Sequence, residues 1–306
     1  MPMITRNDAQ ALIPEDVTRE IFKAVEQKSS ALPLMRRLPN MSRKLNKLVI
    51  LDQLAVAGFV DGDAGLKAVS NTAWKNKYIT AEEIAVIIPI PEAVLDDADY
   101  DIWGEIKPQI EEEFGKVIDG AIFFGEDKPA SWPAGLVDGA TAAGHIVTLG
   151  TGLDIGADVN ELMALVEADG YDVNGFAAAI GVKSKLRGLR DANGGLLFQP
   201  SLTAGTPGTL YAQNITYPKN GAWDSSKAQM LGGDFQQAVY AVRQDLTYKV
   251  LDQAVVTDND GKIIYNLAQQ DMVALRCVMR LGWQLPNPIN RMNEDAATRY
   301  PFAVLK

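Results

Sequence analysis

Apolar residues recur at steps of three and four through residues 101–124, which is the period of an α-helix. The apolar positions are Ile102, Ile106, Ile110, Phe114, Val117 and Ala121. They would share one face of a single helix about 36 Å long at the usual helical rise. Pro108 lies inside this stretch and removes one backbone hydrogen bond, so we expect a kink near it.

A run of β-branched residues over 84–90 predicts a strand directly before this helix, and Pro91 cannot donate to its ladder. Four carboxylates then separate strand from helix: Asp96, Asp97, Asp99 and Asp101. A metal site is one interpretation, but the glycine-bearing spacing of a calcium loop is absent. We therefore interpret the four as helix-start groups, which cap free amides and favour the positive end of the helix dipole.

Residues 48–80 have the pattern of a long hairpin. Its arms are "LVILDQLAV" and "NTAWKNKYIT", and Gly58, Gly62 and Gly65 lie between them. A lone two-stranded ribbon is only marginally stable in water, so this one must lie on another surface. That surface is either the core of its own chain or a neighbouring subunit, and the pattern alone leaves both open.

The N-terminal region predicts a helix followed by a basic extended segment. Residues 14–28 place Pro14 in the first turn and four apolar residues on one stripe: Val17, Ile21, Ala24 and Val25. Pro33 and Pro39 then prevent a continuous helix. The basic residues that follow are Arg36, Arg37, Arg43, Lys44 and Lys47. They form either a solvated connector or an extended arm on an acidic partner.

The second half alternates between helical and extended patterns. Asp158 is the predicted cap of a helix that Gly170 ends, and residues 176–195 read as a buried strand and a short basic helix. We expect residues 197–223 to be a loop with little regular structure. Strands are predicted over 239–250 and 269–285, with a hairpin turn at 259–261 between them.

Composition narrows the class of protein. The chain has 306 residues, of which 47% are hydrophobic and 22% charged, as in globular proteins. No apolar run approaches the roughly 18 residues that a membrane span requires, and the first residues lack the pattern of a signal peptide. Cys277 is the one cysteine, so no internal disulfide is expected.

Catalytic and metal chemistry have few candidate residues. With one histidine and one cysteine, the chain cannot build the usual zinc site from its own side chains, and a nucleophile–histidine device would have to use His145. It lies in a glycine-rich stretch, and we interpret it as structural. The net charge of −10 argues against a protein that grips a phosphate backbone with its whole surface.

Three stretches in this order resemble a known family. They are "AVIIPIPEAVLDDADYDIWGEIKPQIEEEFGKVIDGAIFFGE", "ELMALVEADGYDVNGFAAAIGVKSKLRGLRDANGGLLFQPSLTAGTPGTLYA", and "GGDFQQAVYAVRQDLTYKV" with "QQDMVALRCVMRLGWQLPNPINR". Together they resemble the major capsid proteins of tailed double-stranded DNA bacteriophages. The resemblance implies an α+β chain with the Hong Kong 97 capsid fold.

The resemblance also implies a division of the chain. Residues 1–46 would be an N-terminal arm, and residues 47–80 an extended loop laid over a neighbour. Residues 81–136 and 263–306 would form a peripheral domain that contains the long spine helix. Residues 137–262 would form an axial domain that meets its copies at five-fold and six-fold centres.

The function implied is structural. Copies would assemble as pentamers and hexamers into a closed icosahedral shell around packaged double-stranded DNA, without sequence-specific binding. The implied partners are a separate scaffolding protein, a portal and cement proteins. Some relatives carry a long N-terminal scaffolding segment, whereas the arm here begins close to Met1, so either a separate scaffolding protein is used or the chain is the mature form. The implied location is the virion, after assembly in the host cytoplasm. No catalytic residue, cofactor, metal or membrane contact is expected.

Three alternatives or additions accompany this interpretation. Some relatives join a lysine of the extended loop to a neighbour's asparagine, and the candidates here are Lys67, Lys75, Lys77, Asn287 and Asn290. Encapsulin nanocompartments share the fold but enclose enzymes. A carboxylate-dependent enzyme would use Asp96, Asp97, Asp99 or Glu111, Glu112 and Glu113, which are more simply helix-start and helix-surface groups.

Overall fold

A computed structural model describes residues 28–60, 67, 69–97, 101–189, 209–258 and 260–306. The helix predicted over 14–28 lies outside these residues except for Lys28, and Asp99 also lies outside them. Within the described residues, helices and two main sheets combine in one chain, as the α+β prediction requires.

A four-stranded sheet forms one part of the molecule. Its strands, in order across the sheet, are β1 (Arg36–Arg37), β10 (Val239–Leu251), β13 (Met272–Gln284) and β4 (Glu82–Pro91). β1 is parallel to β10, whereas the other two pairs are antiparallel. The strands predicted over 84–90, 239–250 and 269–285 are thereby confirmed.

The spine helix lies against one face of this sheet. After the short helix α1 (Glu92–Asp97), helix α2 runs over Ile102–Phe124, and the carboxylate of Asp101 accepts from the amide of Gly104 at 3.0 Å. Gly125 ends it with φ of 67°, a left-handed conformation that glycine adopts without strain. The predicted helix and its Asp101 cap are confirmed.

Two details of the helix prediction are wrong. Asp96 and Asp97 end α1 and do not start α2, because the chain forms a separate turn of helix after the strand. Val117 is 41% exposed, and Ile118 is buried in its place. The buried stripe shifts by one residue because the C-terminal half of α2 enters the core, where Ile122, Phe123 and Phe124 are all buried.

A six-stranded sheet forms the other main part. Its strands, in spatial order, are β5 (Ile146–Val147), β14 (Phe302–Leu305), β9 (Met230–Gly233), β6 (Gly175–Ala178), β8 (Gln213–Thr216) and β7 (Thr209–Leu210). Helices α3 (Leu136–Ala142), α4 (Ile155–Ala168) and α5 (Val182–Arg187) accompany it. The predicted buried strand and short basic helix are confirmed as β6 and α5. Of the loop expected over 197–223, residues 197–208 lie outside the described residues, and the rest contains β7 and β8, because β8 pairs in parallel with the buried β6.

The N-cap of helix α4 lies four residues before the predicted one. Asp154 is the N-cap, and its carboxylate accepts from the amide of Ala157 at 2.9 Å. Asp158 is fully buried inside the helix and accepts from the amides of Gly150 and Gly152, each at 2.7 Å. Its role is therefore to shape the preceding loop and not to cap the helix. Gly170 follows the helix end with φ of 79°, as predicted.

Two hairpins complete the described fold. β2 (Leu45–Gln53) pairs with β3 (Ala73–Thr80) in the predicted long hairpin. β11 (Val255–Thr257) pairs with β12 (Ile263–Asn266), and the carboxylate of Asp258 accepts from the amide of Lys262 at 2.8 Å near the predicted turn. Each hairpin is a two-stranded sheet of its own, separate from the two main sheets.

The sheets divide the chain differently from the boundaries implied by the resemblance. β10 lies inside the 137–262 segment, yet it pairs with β13 in the four-stranded sheet. β14 lies inside the 263–306 segment, yet it pairs with β9 in the six-stranded sheet. The chain therefore passes from one main sheet to the other between β9 and β10 and again between β13 and β14. The rings of Phe235 and Phe302 pack together, with 5.1 Å between their centroids.

Candidate assembly surfaces

The β2–β3 hairpin has one face toward its own chain and one toward solvent. Alternation along the strands places Ile50 and Ile79 on the inner face, where Ile79 packs with Met41, Val239 and Ala241. The outer hairpin face carries four exposed apolar side chains: Leu45, Val49, Trp74 and Tyr78. The hairpin base is therefore supported by its own core, while the outer face has no cover from the described residues.

The inner face is held by a short segment after β13, which we call the cradle (residues 285–291). The ammonium of Lys77 donates to the carbonyl of Leu285 at 2.9 Å, and the amide of Ile289 donates to the carbonyl of Leu51 at 3.2 Å. Arg291 donates to the carbonyl of Ala55 at 2.8 Å. Burial, with Lys75 and Arg299 adding to it, lowers the pKa of Lys77. These bonds fix the direction in which the hairpin leaves the molecule.

The described part of the hairpin tip is apolar and uncovered. Phe59 is fully exposed, Val69 is 94% exposed, and Val56 and Val60 are exposed as well. One side-chain bond, from the amide of Val56 to the hydroxyl of Ser70 at 2.8 Å, joins the two arms here. A group of large apolar side chains held in water is typical of a surface that another molecule covers.

Two apolar grooves lie beside the spine helix. One, of about 330 Å³, lies between α2 and β4, and its lining includes Ile84, Val86, Ile106 and Phe114. The other, of about 400 Å³, lies on the β10 side, and Leu32, Leu246 and Met279 contribute to its lining. Apart from the buried Phe114, these side chains are only partly buried in the single chain, so the grooves are candidate surfaces for contact with another copy.

The basic segment lies along the body of its own chain. The amides of Leu38 and Met41 donate to the carbonyls of Tyr240 and Val242, at 2.8 and 2.9 Å, and so continue the pairing of β1 with β10. Its basic side chains are exposed: Arg36, Arg37, Arg43, Lys44 and Lys47. The segment is thus an extended connector with a positively charged outer surface.

His145 has a structural position, as the sequence indicated. It is buried, its Nδ1 lies 3.0 Å from the carbonyl oxygen of Phe302, and its Nε2 lies 3.3 Å from the carboxylate of Asp169. Asp169 also accepts from the amide of Tyr300 at 2.7 Å. These contacts fasten the C-terminal strand to the end of α4.

The candidate crosslinking asparagines are hydrogen-bonded within their own chain. The carboxamide of Asn287 accepts from the hydroxyl of Tyr171 at 2.9 Å and donates to the carbonyl of Arg299 at 2.8 Å. That of Asn290 donates to the carbonyl of Asp169 at 2.6 Å. Both amides are engaged in the C-terminal network, so a crosslink would have to break it.

The carboxylates proposed for metal or acid–base chemistry are dispersed. Glu111 pairs with Lys28 at 2.7 Å and accepts from the hydroxyl of Tyr248, while Glu113 pairs with Lys116 at 3.2 Å. Asp96 and Asp97 lie on α1, away from both. Among the residues that the structure describes, no three His, Cys, Asp or Glu side chains meet to hold a metal, and no helix is long and apolar enough to span a membrane.

Sequence reasoning did not find the cradle. The signal was available in part: Lys77 is a polar residue on the inward side of the alternation in β3, and Pro286 and Pro288 indicate an extended segment. Their proximity depends on how β13 crosses β3, which no local pattern predicts.

Comparison with known proteins decides the family. The sequence model of the phage capsid family matches residues 9–289. The chain belongs to the phage capsid family. Phage capsid proteins are structural. In this chain, the described residues form the hairpin, the spine helix and the two main sheets.

Solved structures from phages are similar over nearly the whole chain. One from Microbacterium phage Oxtober96 is 36% identical with a TM-score of 0.87, covering 99% of each chain. One from Mycobacterium phage Adephagia is 32% identical with a TM-score of 0.85, covering 99% of this chain and 98% of that one. The predicted Hong Kong 97-like α+β fold is confirmed. Because the matches are to phages, the encapsulin alternative is not favoured.

A curated relative is more distant. The "Major capsid protein" of Staphylococcus phage 80alpha is 24% identical over 222 residues, which cover 70% of this chain. The match spans 63% of that relative's length.

Proposed function

We propose that this chain is the major capsid protein of a tailed double-stranded DNA bacteriophage and that its copies build a closed icosahedral shell. The observation that carries the proposal is the hairpin. Its base is fastened to its own body, while its outer hairpin face and its tip expose eight apolar side chains: Leu45, Val49, Val56, Phe59, Val60, Val69, Trp74 and Tyr78. Covering them with neighbouring copies would remove this apolar surface from water.

Repeated modest contacts can stabilise such a shell. Each copy in a closed assembly offers the same surfaces, so the same contact repeats around every symmetry centre. The hairpin would lie on the neighbour, and the grooves beside α2 are the receiving surfaces that the chain offers. Pentamers and hexamers are the capsomers that we expect.

The division into parts follows the sheets in this proposal. The arm and the extended loop keep the ranges 1–46 and 47–80. The four-stranded sheet with α2 would be the peripheral domain and would include β10. The six-stranded sheet would be the axial domain and would receive β14 from the end of the chain.

The shell would enclose packaged DNA without sequence-specific binding, consistent with a net charge of −10. A separate scaffolding protein, a portal and cement proteins would be its partners. It would be assembled in the host cytoplasm and would reside in the virion. We propose no catalytic activity, cofactor or crosslink for it.

Electron microscopy and sedimentation of the purified chain, with and without a co-expressed scaffolding protein, test the proposal. We expect closed shells of uniform size whose nucleic acid is protected from nuclease when they come from phage particles. A 33.2 kDa monomer at every concentration and with every partner would overturn it. Shells that hold a docked enzyme and no nucleic acid would contradict the virion assignment.

A further inference from the structure

A carboxylate in the C-terminal half of the spine helix has no solvent contact. Asp119 is fully buried among Ile118, Ala121 and Ile122, where an ionised group loses its hydration. Burial, the largest influence, raises its pKa, while hydrogen bonds from the groups around it act in the opposite direction. A buried carboxyl group without such donors is costly, so its four partners are informative.

Three of the four donors come from the point where the N-terminal arm reaches the body. The hydroxyl of Ser29 lies 2.6 Å from Asp119, and the amides of Ser30 and Ala31 lie at 2.7 and 3.0 Å. The Ser29 hydroxyl also accepts from the amide of Leu32 at 3.2 Å, which stabilises a tight turn. Asp119 therefore binds the turn at residues 29–32 as a helix-capping carboxylate would.

The approach of this turn to α2 is close. A Cβ atom at Gly115 would lie 2.6 Å from the backbone nitrogen of Ser29, so only glycine allows the turn to cross the helix here. One helical turn away, Lys28 pairs with Glu111 at 2.7 Å. Because both partners lie near the surface, that pair contributes little and the buried bonds determine the position.

The fourth donor comes from a different part of the chain. The carboxamide of Asn220, which is buried, donates to Asp119 at 2.8 Å and accepts from the amide of Ala222 at 3.3 Å. Trp223, three residues on, packs edge-to-face against Phe123 and Phe124 at 5.2 Å from each. The loop over 217–224 leads from β8 of the six-stranded sheet.

We propose that Asp119 is a positioning residue that clamps residues 29–31 of the N-terminal arm to α2 and couples them to the 217–224 loop. One carboxylate binds both segments, so loosening either of them removes donors that hold the other in place. The clamp thereby fixes the position of residues 29–31 on the spine helix. It acts within one chain, so its test does not depend on shell assembly.

Asn220→Ala is the decisive variant because the described contacts of that side chain are with Asp119 and its own loop. The substitution removes the bond from Asn220 to the Asp119 carboxylate, which the Ser30 and Ala31 amides share as their acceptor. We therefore expect hydrogen exchange of these two amides to become at least about tenfold faster. Ser29→Ala should act in the same direction, and Ser29→Thr, which keeps the hydroxyl, should restore slow exchange.

Asn174→Ala is the matched control. The Asn174 side chain bridges Asp234 and the amide of Phe235 in another loop, so its loss should leave the arm amides unchanged. Unchanged arm exchange in Asn220→Ala, or equal acceleration in Asn174→Ala, would overturn the coupling. Asp119→Ala, if it folds, should expose the Lys28–Ser29 bond to trypsin; persistent resistance there would also contradict the clamp.

Discussion

The ammonium of Lys77 on the hairpin lies 2.9 Å from the carbonyl oxygen of Leu285 on the cradle, so an extension that projects from the molecule is nonetheless fastened at its base. The alkyl stem of Lys77 is half-buried on the inner face, while its charge reaches a backbone acceptor. The base of the hairpin is therefore supported by its own core, whereas contact of its outer face with a neighbouring subunit stays a prediction.

Replacing Lys77 with Met tests this anchor. The substitution keeps the apolar stem and removes the donor, leaving the Leu285 carbonyl without this partner, so we expect the free energy of unfolding to fall by about 1 kcal/mol. Hydrogen exchange across 73–80 should accelerate, measured on the purified chain. Lys47→Met, on the exposed outer hairpin face, is the control and should change neither quantity. Equal behaviour of the two variants would contradict the anchor.

Gly282→Ala should displace the hairpin from β13. A Cβ atom at Gly282 would lie 2.4 Å from the carbonyl oxygen of Thr80, where the strands cross, and a backbone group cannot move aside cheaply. We expect a loss of about 2–3 kcal/mol in the free energy of unfolding, measured by denaturant titration.

Gly58→Ala provides the comparison for Gly282→Ala. No heavy atom lies within 4 Å of a Cβ placed at Gly58, so this variant should be neutral or slightly stabilising. A destabilised Gly58→Ala together with an unaffected Gly282→Ala would show that the crossing is not as close as described.

The sequence predicts those features whose causes are local. The bounds of α2 follow from a regular apolar period, a capping Asp101 and a terminating Gly125, all within one stretch. The two hairpins likewise follow from alternation and turn residues between their arms. The functional assignment required the order of three long stretches, because no short motif carries it.

Features that depend on distant pairing could not be predicted. β8 is stabilised by a parallel partner, β6, that lies far away in the chain, and β14 pairs across the sheet with β9. Asp158 and Asp119 look like ordinary helix carboxylates in sequence, although Asp119 interrupts the apolar run "KVIDGAIFF" and that interruption was a usable signal. Their burial is decided by loops that arrive from elsewhere.

Phe59→Ser should impair assembly without affecting the fold of the single chain. The ring is fully exposed and contributes no burial within one copy, so the free energy of unfolding of the unassembled chain should not change. Burying a Phe side chain at a contact is worth about 1.5–3 kcal/mol, so the concentration needed for assembly should rise roughly tenfold or more.

Light scattering against protein concentration measures the Phe59 effect, and Phe59→Leu is the control that keeps most of the apolar surface. Assembly of Phe59→Ser at the wild-type concentration would show that the hairpin tip stays in solvent in the shell. That result would contradict the role given to the tip while leaving the family assignment intact.

Tyr217→Phe should stabilise the chain, and the gain should grow at alkaline pH. The Tyr217 hydroxyl is buried and has no hydrogen-bond partner among the described residues, so its removal should contribute about 1 kcal/mol. Burial also raises the pKa of Tyr217 to about 12, despite the opposing charge of Arg187. The folded state disfavours the Tyr217 phenolate. The contribution of this group to the free energy of unfolding is therefore fully present below about pH 10 and is lost as the pH rises through about 12. In unfolding titrations between pH 8 and pH 11, roughly spanning the reference tyrosine pKa, the free energy of unfolding of the wild type should therefore fall below that of Tyr217→Phe by an increasing margin.

Tyr211→Phe is the control: it removes a hydroxyl that donates to the carbonyl of Gly156 at 3.0 Å, so it should not stabilise the chain. A constant difference across that range, or a destabilised Tyr217→Phe, would mean that the hydroxyl has a partner in solution.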